Sequence, residues 1–297
     1  MRQRSAAWTM TAVLTTALLA TTSGARAMTP RAASGPTVLG TTAGAPDISC
    51  TNATVVQLVS GPGTPGYVVP AGGVITSFSA RADASAGDQV RMVLFGPPTG
   101  NTYPVRAKTT AQALVPSTLN TFEVRVPVET GWVLGASFLG SGVGCGAMTS
   151  AADQMGAATA FDPATTATFA SVANAAVDIS AVVEPDADHD GFGDLSQDAC
   201  PGSALAQAAC PAPETTITKA PHARTKKRRV VVAFSSSVPG SLFVVTVDGK
   251  PAGTIPSPLT RKLGYGHHTV TVQAVSPLGP VDPTPATVSF KIKKKRR

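Results

Sequence analysis

Between residues 46 and 184, apolar and polar positions follow the pattern of short β-strands. Residues of opposite polarity largely alternate in segments 74–81 and 121–126, as the two faces of a half-buried strand require. Breaks rich in proline and glycine at 61–66 and 96–100 predict turns. The predicted strands are 54–60, 74–81, 89–95, 103–109, 121–128, 131–139 and 177–183. Strands at this spacing predict an all-β fold, with a jelly-roll-like β-sandwich here.

A second series of strand patterns occupies residues 213–291. Asp248-Gly249 lies between two of them, and this dipeptide favours the tight turn of a β-hairpin. The predicted strands are 214–221, 230–237, 241–247, 268–274 and 282–290. In order and spacing they resemble a bacterial immunoglobulin-like repeat, which implies an immunoglobulin-like β-sandwich used as a spacer or adhesive module without catalysis. Many members of that family carry a cystine where this chain has Val245 and Ile255, and we expect these two apolar residues to pack in its place.

The stretch between the two strand regions is rich in aspartate. Five of the thirteen aspartates lie within residues 186–198, which we call the aspartate loop. Asp186, Asp188 and Asp190 occupy positions 1, 3 and 5 of an EF-hand-like loop, and Gly191 at position 6 permits the sharp bend. Because carboxylate oxygens in this pattern suit a hard cation, we predict a Ca²⁺ site.

The rest of the aspartate loop adds predicted ligands but departs from the EF-hand pattern. Phe192 at position 7 offers its backbone carbonyl, and Asp194 at position 9 binds directly or through water. Position 12 is Gln197 where an EF-hand has a bidentate Glu, and we expect Asp198 to take that role. The alternative is an acidic, solvated hinge without metal.

The aspartate loop together with Cys200-Pro201 resembles a thrombospondin type 3 repeat, whose form is Asp-x-Asp-x-Asp-Gly-x-x-Asp followed by an acidic residue and Cys-Pro. The resemblance implies a linker that wraps calcium and is tied by a disulfide. The chain has a single copy where the family usually has several, and one extra residue separates Asp194 from Asp198.

Four cysteines suggest two disulfides, for which three pairings are possible. We favour Cys50 with Cys145, which joins the beginning of the first sandwich to a late strand. The second favoured pair, Cys200 with Cys210, closes a short loop beside the calcium site. Zinc is not expected, because the cysteines lack C-x-x-C spacing and the four histidines do not cluster with them.

The first 27 residues have the pattern of a secretory signal. Arg2 and Arg4 precede a moderately apolar core, and residues 25–27 match a small-x-small cleavage site. We therefore predict a secreted, extracellular or cell-surface protein, the alternative being an uncleaved anchor. No later segment reaches the roughly eighteen apolar residues of a transmembrane helix. Residues 28–45, rich in Ala, Thr, Gly and Pro, are predicted to form a disordered lead-in.

The net charge of +7 hides two regions of opposite sign. Residues 28–210 carry 6 basic and 14 acidic residues, giving −8, whereas residues 211–297 carry 15 basic and 3 acidic residues, giving +12. The basic residues cluster in two runs, Lys226, Lys227, Arg228 and Arg229 in one, and Lys291, Lys293, Lys294, Lys295, Arg296 and Arg297 in the other. They predict attachment to an anionic cell-wall or extracellular polymer, a glycan or a membrane surface, the alternative being a solubilising tail. Specific nucleic-acid binding is not expected, because no aromatic residues are interleaved with the runs.

The first sandwich offers few candidates for catalysis or sugar binding. It contains no histidine, which excludes a Ser-His-Asp arrangement within it. Glu123 and Glu129 are candidates for a glycosidase pair, but the alternation around Glu123 favours a solvated face. Tyr67, Tyr103 and Trp132 are its only Tyr or Trp residues, and Trp132 is expected in the core.

Two further motifs have structural interpretations. The glycine-rich stretch 140–144 lacks the lysine of a phosphate-binding loop and predicts a hairpin turn. His267 and His268 are adjacent at the start of a strand and should therefore point to opposite faces.

The sequence thus predicts a secreted, non-enzymatic protein in which Ca²⁺ stiffens the linker between two β-sandwiches. The predicted organisation is a signal at 1–27, a lead-in at 28–45, a sandwich at 46–184, a calcium-binding linker at 185–212, an immunoglobulin-like domain at 213–291 and a basic tail at 292–297. A carbohydrate-binding cell-surface protein using the first sandwich is the first alternative. An extracellular hydrolase is the second.

Overall fold

A computed structural model of the chain describes residues 35–42, 44–81, 87–149, 152–158 and 162–294. The predicted signal, the first part of the predicted lead-in and Lys295, Arg296 and Arg297 lie outside these ranges. Within them the regular structure consists of β-strands and turns without any α-helix, which confirms the predicted all-β sandwich fold. The described residues accordingly contain no helix that is long and apolar enough to cross a membrane.

The first sandwich contributes thirteen of the described strands. They are β1 (Thr37–Thr41), β2 (Ile48–Val59), β3 (Gly73–Arg81), β4 (Gln89–Phe95), β5 (Thr102–Lys108), β6 (Gln112–Ala113), β7 (Leu119–Val128), β8 (Val133–Met148), β9 (Gln154–Ala158), β10 (Thr166–Thr168), β11 (Ala170–Ala173), β12 (Ala175–Val177) and β13 (Ile179–Glu184). The seven predicted strands correspond to β2, β3, β4, β5, β7, β8 and the β12–β13 segment.

The strand order of the first sandwich is that of a jelly roll. One sheet has the order β1-β13-β3-β7, and the other contains the run β5-β4-β8-β2. Every pairing in these two runs is antiparallel. When these eight strands are numbered in chain order, the sheets read 1-8-3-6 and 5-4-7-2, the two interlocked Greek keys of a jelly roll. Strands β9, β10 and β11 lengthen the second sheet, and β6 and β12 pair with β4 and β8.

The predicted disorder of residues 28–45 is wrong for Thr37–Thr41. These residues form β1, which pairs along its whole length with β13. Leu39 is only 2% exposed and packs into the core of the sandwich. A single buried leucine among small residues gives almost no local signal, because the stability of this edge strand comes from β13.

The core of the first sandwich lies between the two sheets and contains most of the large apolar residues of this region. Phe95, Tyr103 and Phe169 pack edge to face, with ring centroids 5.4 to 5.9 Å apart. As predicted, a disulfide joins Cys50 on β2 to Cys145 on β8. It links neighbouring strands of one sheet and is buried at the edge of this core.

The hairpin predicted at residues 140–144 is wrong. Strand β8 continues through this stretch, and its register with β2 shifts there, as at a β-bulge. Gly140 has a φ of 143°, and a Cβ at this position would lie 2.0 Å from Oδ1 of Asp88. Gly140 therefore permits a close approach of Asp88 to the strand.

The second sandwich contributes eight of the described strands. They are β14 (Thr215–Lys219), β15 (Arg224–Thr225), β16 (Arg229–Ser236), β17 (Leu242–Val247), β18 (Lys250–Thr254), β19 (Leu259–Lys262), β20 (Gly266–Val275) and β21 (Ala286–Ile292). The strand predicted at 282–290 begins later, because Pro283 and Pro285 cannot donate to a ladder.

The order of these strands matches an immunoglobulin-like sandwich. One sheet is β14-β16-β19, and the other is β15-β21-β20-β17-β18, with β15 parallel to β21. Asp248 and Gly249 have φ values of 53° and 73°, which suits a type I′ turn and confirms the hairpin between β17 and β18.

Val245 and Ile255 do not occupy the place of a cystine between the two sheets. Val245 lies on β17 and Ile255 follows β18, and these strands are neighbours in one sheet. The bridge of immunoglobulin domains joins the second and sixth main strands, which face each other across the core. Here those strands are β16 and β20, which contribute the fully buried Val232 and Val272 to the core.

Candidate metal centre

The aspartate loop follows β13 and brings its first three carboxylates together. One oxygen from each of Asp186, Asp188 and Asp190 lies within 4.8 Å of the other two. The amides of Asp190 and Gly191 donate to the two oxygens of Asp186, at 3.1 and 3.0 Å. Gly191 has a φ of 84°, so the glycine permits the predicted bend. The alternation read from the sequence therefore produces a real cluster.

Asp188 holds the central carboxylate of this cluster. Both of its oxygens are buried and lack a hydrogen-bond partner. Oδ2 of Asp198 is also buried without a hydrogen-bond partner. The other oxygen of Asp198 accepts a hydrogen bond from the amide of Cys200 at 2.7 Å. Buried carboxylate oxygens without a partner are costly, and such atoms fit a cation as the missing partner.

The carboxylates of the aspartate loop influence one another electrostatically. Burial raises the pKa of Asp188, and the charges of Asp190 and Asp198 raise it further. The amides of Asp190 and Ser203 oppose this rise, without hydrogen bonds of standard geometry. Such mutual repulsion disfavours the fully ionised loop unless a cation neutralises it.

Asp194 is 7% exposed and belongs to the same group. Burial raises its pKa, the amide of Ala187 opposes the rise, and the charges of Asp186, Asp198 and Asp190 add to it. Oδ1 of Asp194 accepts the Ala187 amide at 3.1 Å, which leaves its other oxygen for a ligand. The carboxylates grouped closely enough to hold one ion are those of Asp186, Asp188 and Asp190, and the use of Asp194 and Asp198 as ligands stays a prediction.

Gln197 and Phe192 have structural contacts outside this group. The side chain of Gln197 donates to the carbonyl of Val124 at 2.7 Å, and its oxygen accepts the amide of Gly193. Gln197 therefore ties the loop to β7. The ring of Phe192 lies 3.9 Å below the guanidinium carbon of Arg125, and its amide donates to Asp190. The use of the Phe192 carbonyl as a ligand stays a prediction.

Glu184 anchors the aspartate loop to the first sandwich and was not found from the sequence. It is 5% exposed at the end of β13, and its Oε2 accepts the amides of Leu195 and Ser196, both at 2.9 Å. Its Oε1 accepts the hydroxyl of Thr76 at 3.2 Å. A Cβ on Gly193 would lie 2.6 Å from Oε2 of Glu184, so the loop lies directly against this side chain.

The predicted disulfide Cys200–Cys210 closes the segment after the aspartate loop. Within it, Gln207 donates from Nε2 to Oδ2 of Asp190 at 2.9 Å, and the carbonyl of Gln207 accepts the amide of Ala199. The disulfide segment thus supports the outer side of the acidic group.

The same segment lies against the second sandwich. A groove of about 460 Å³ is shared between the segment and the β16–β17 and β20–β21 connections. A Cβ on Gly202 would lie 2.9 Å from the side chain of Leu278. The linker therefore contacts both sandwiches: the first through Glu184 and Gln197, and the second through the disulfide segment.

An open groove of about 720 Å³ borders the aspartate loop. The 72–73 turn and residues 127–130 form one side, and Asp186, Asp190 and the exposed His189 form the other. Two carboxylates of the group face this groove, so a cation has a route from solvent.

The candidates for sugar binding are largely interior residues. Tyr67 and Tyr103 are 1% and 5% exposed, and Trp132 packs against the core with part of its side chain at the surface. Glu123 and Glu129 are exposed, which agrees with the solvated face predicted for Glu123. No aromatic platform is present in the described part of this sandwich.

The described residues of the two basic runs and the adjacent pair His267 and His268 lie in the second sandwich. The side chains of Lys226, Lys227, Arg228, Arg229, Lys293 and Lys294 are exposed. His268 is directed to Asp248, with Nδ1 to Oδ2 at 2.9 Å, whereas His267 is exposed, so the two point differently as predicted. Tyr265 lies beside both basic runs, a proximity that was not apparent in the sequence.

Comparison with known proteins supplies no family for the chain. No protein-family model matches it, and no curated protein is significantly similar to it.

Proposed function

We propose that the aspartate loop binds Ca²⁺ and that the ion stiffens a connector between the two β-sandwiches. The single observation that supports this most is the Asp188 carboxylate, whose two buried oxygens have no hydrogen-bond partner although other carboxylates of the loop lie beside it. Five carboxylates outnumber what Mg²⁺ usually takes from a protein, whereas Ca²⁺ accepts six to eight oxygens. The side chains of Asp186, Asp188, Asp190, Asp194 and Asp198 would hold the ion.

Calcium would act by removing repulsion within the linker. Without a cation, burial and neighbouring charges raise the pKa values of Asp188 and Asp194, so their ionisation opposes the folded loop. With a cation, the same charges become ligands, and binding free energy adds to the stability of the loop. The linker contacts the first sandwich through the aspartate loop and the second through the disulfide segment, so an ordered linker would restrict their relative motion.

The setting proposed for this role is outside the cell. Two disulfides are typical of proteins that fold in an oxidising compartment, where calcium is also abundant. The predicted signal sequence supports the same location. A structural or adhesive role needs no catalytic group, and we propose that the protein is not an enzyme.

The test is calorimetric titration of the exported protein with Ca²⁺, with thermal melting on the same samples. We expect saturable binding and a rise of several degrees in the melting temperature. Asp188→Asn should weaken binding at least tenfold, yet its metal-free form should melt higher than the metal-free parent because repulsion is removed. Glu123→Gln makes the same charge change at an exposed site of β7 and should alter neither quantity.

The proposal fails if calcium gives no saturable heat, or if Asp188→Asn binds as tightly as the parent. Small-angle scattering with and without calcium tests the stiffening separately. If calcium binds but the distribution of interatomic distances from scattering does not narrow, the metal site stands and the proposed stiffening of the connector is wrong.

A further inference from the structure

The fold joins two basic runs that are far apart in the sequence. Strand β15 pairs in parallel with the end of β21, with Arg224 opposite Lys291. The amide of Lys293 donates to the carbonyl of Thr225 at 2.8 Å. The runs 224–229 and 291–294 therefore lie side by side at one end of the second sandwich.

Strands β16 and β19 extend this positive end. Arg229 is opposite Lys262, and Nε of Arg228 donates to the carbonyl of Leu263 at 2.9 Å. We define the basic surface as the lysines and arginines of 224–229, 261–262 and 291–294, all of which are exposed. It contains ten cations from three separate parts of the chain.

The charge of the basic surface is not compensated by neighbouring acids. Among the described residues, none of its cations lies within 4.0 Å of a carboxylate. The nearest acid with an electrostatic effect is Asp248, which acts on Arg261 but is bound to His268 and to the amide of Thr269. The positive potentials of the ten groups therefore add.

Tyr265 connects the two runs. The guanidinium carbon of Arg228 lies 5.0 Å from the ring centroid, and Nζ of Lys294 lies 6.0 Å from it. Each run thus supplies one cation to the same half-exposed ring. These cation–π contacts hold charged groups in place at the centre of the surface.

The arrangement suits an extended anion better than a small one. A groove of about 620 Å³ borders the surface and is lined by Lys219, His222 and residues 227–229, but it is open and none of its cations is buried. A single small anion would stay largely hydrated there. Ten exposed cations on adjoining segments of the chain instead match a polymer that carries many charges close together.

A second copy of this chain is a poor partner, although its first region has a net negative charge. Asp153 and Asp178 are buried, and Asp162 is paired with Arg91 and Lys108. The aspartate loop is neutralised if it binds calcium. Few free carboxylates remain to meet ten cations.

We propose that the basic surface binds a linear extracellular polymer with phosphate groups along its backbone. The surface recognises the charge of the polymer and not the chemical identity of its repeating unit, because the exposed cations act mainly as separate point charges. Only the argument against a second copy rests on the proposed calcium site, since the basic surface and the aspartate loop share no residue.

Long-chain inorganic polyphosphate is the probe, titrated into the full chain at several salt concentrations. We expect binding that weakens steeply with salt, whereas orthophosphate at equal phosphate concentration should not compete. Lys294→Gln should weaken binding about threefold and reduce the log–log salt slope by about 0.7. Lys226→Gln, Lys227→Gln and Lys294→Gln combined should weaken it about thirtyfold.

Lys250→Gln is the matched control. Lys250 is also exposed and lies on β18, at the opposite edge of the five-stranded sheet from β15. Its substitution should leave affinity and slope unchanged. Equal losses of affinity for Lys250→Gln and Lys294→Gln would show that binding depends on net charge alone. That result would overturn the assignment of the basic surface.

Two other polymers test the chemistry of the partner. Hyaluronate, with widely spaced carboxylates, should bind at least tenfold more weakly than polyphosphate. Tighter binding of hyaluronate would overturn the preference for phosphate.

A single-stranded oligonucleotide of equal charge should bind like polyphosphate, and Tyr265→Leu should affect both equally. A tenfold preference for the oligonucleotide that Tyr265→Leu abolishes would instead establish base stacking.

Discussion

Gln207 donates a hydrogen bond of 2.9 Å to Oδ2 of Asp190, seventeen residues earlier in the chain. Gln207 lies inside the loop closed by Cys200 and Cys210, so the disulfide positions a support for the acidic group. Groups that hold a ligand carboxylate in place usually influence metal affinity strongly.

Gln207→Ala should therefore raise the calcium dissociation constant about tenfold, measured by calorimetry. The donor that orients Asp190 is lost, while all five carboxylates remain. Leu205→Ala is the control, because Leu205 lies in the same disulfide loop and its side chain is 96% exposed. Equal affinities for Gln207→Ala and the parent would show that Asp190 is oriented by the backbone alone.

Glu184 is expected to determine whether the aspartate loop remains attached to the first sandwich. Glu184→Ala leaves the amides of Leu195 and Ser196 without their acceptor and should reduce the free energy of unfolding by about 2–3 kcal/mol. Chemical denaturation measures this loss, and limited proteolysis should show earlier cleavage within 186–198. Glu129→Gln, at an exposed site, should change stability by less than about 0.5 kcal/mol. An unchanged cleavage pattern in Glu184→Ala would contradict the anchoring role.

Asp178 should make the protein less stable as the pH rises towards neutrality. Burial raises its pKa from the ordinary 3.8 to about 7, although the charge of Arg81 opposes the rise. Since the folded protein holds the proton more tightly than the unfolded chain, this contribution to stability is complete below pH 3.8 and is lost between there and about pH 7. Asp178→Asn should raise the free energy of unfolding at pH 8 by about 2 kcal/mol and leave it similar at pH 4. Chemical denaturation at pH 4 and pH 8 tests this. An equal gain in the free energy of unfolding at both pH values would contradict the prediction.

Asp282 should have the opposite pH dependence. Its burial favours the neutral form, but hydrogen bonds from Thr215 and Thr284 outweigh that effect and lower the pKa. The charged form therefore stabilises the second sandwich above the ordinary pKa, and the contribution is lost as the pH falls through the lower value in the folded protein. Asp282→Asn should reduce stability by about 1–3 kcal/mol at pH 7, and the difference from the parent should shrink below pH 3. Chemical denaturation at a series of pH values, followed by circular dichroism, measures the stability of the variant and the parent. A stability difference between them that grows on acidification would contradict the expected pH dependence.

The strands with clear alternation, β3 and β7, and the Asp248-Gly249 hairpin were predictable because their signals are local. The spacing of Asp186, Asp188 and Asp190 is also a local signal, because alternate side chains of an EF-hand-like loop turn towards the ion. Strands β9, β10 and β11 were missed because they have only three to five residues and contain Ala, which marks strands weakly. The turn predicted at 140–144 was wrong because the sequence does not show that Asp88 packs against Gly140.

The sequence by itself determined the all-β composition, the positions of most strands and the five carboxylates of the aspartate loop. Each of these depends on residues within a few positions of one another. Only the tertiary structure decided that Glu184 and Gln207 support that loop, that Thr37–Thr41 completes a sheet, and that two basic runs meet at Tyr265. Sheet pairing across long separations brings together the residues of β1 and of the basic runs, and side-chain hydrogen bonds of the folded linker place Glu184 and Gln207. The chain carries no local pattern that shows which backbone or side chain will be the partner.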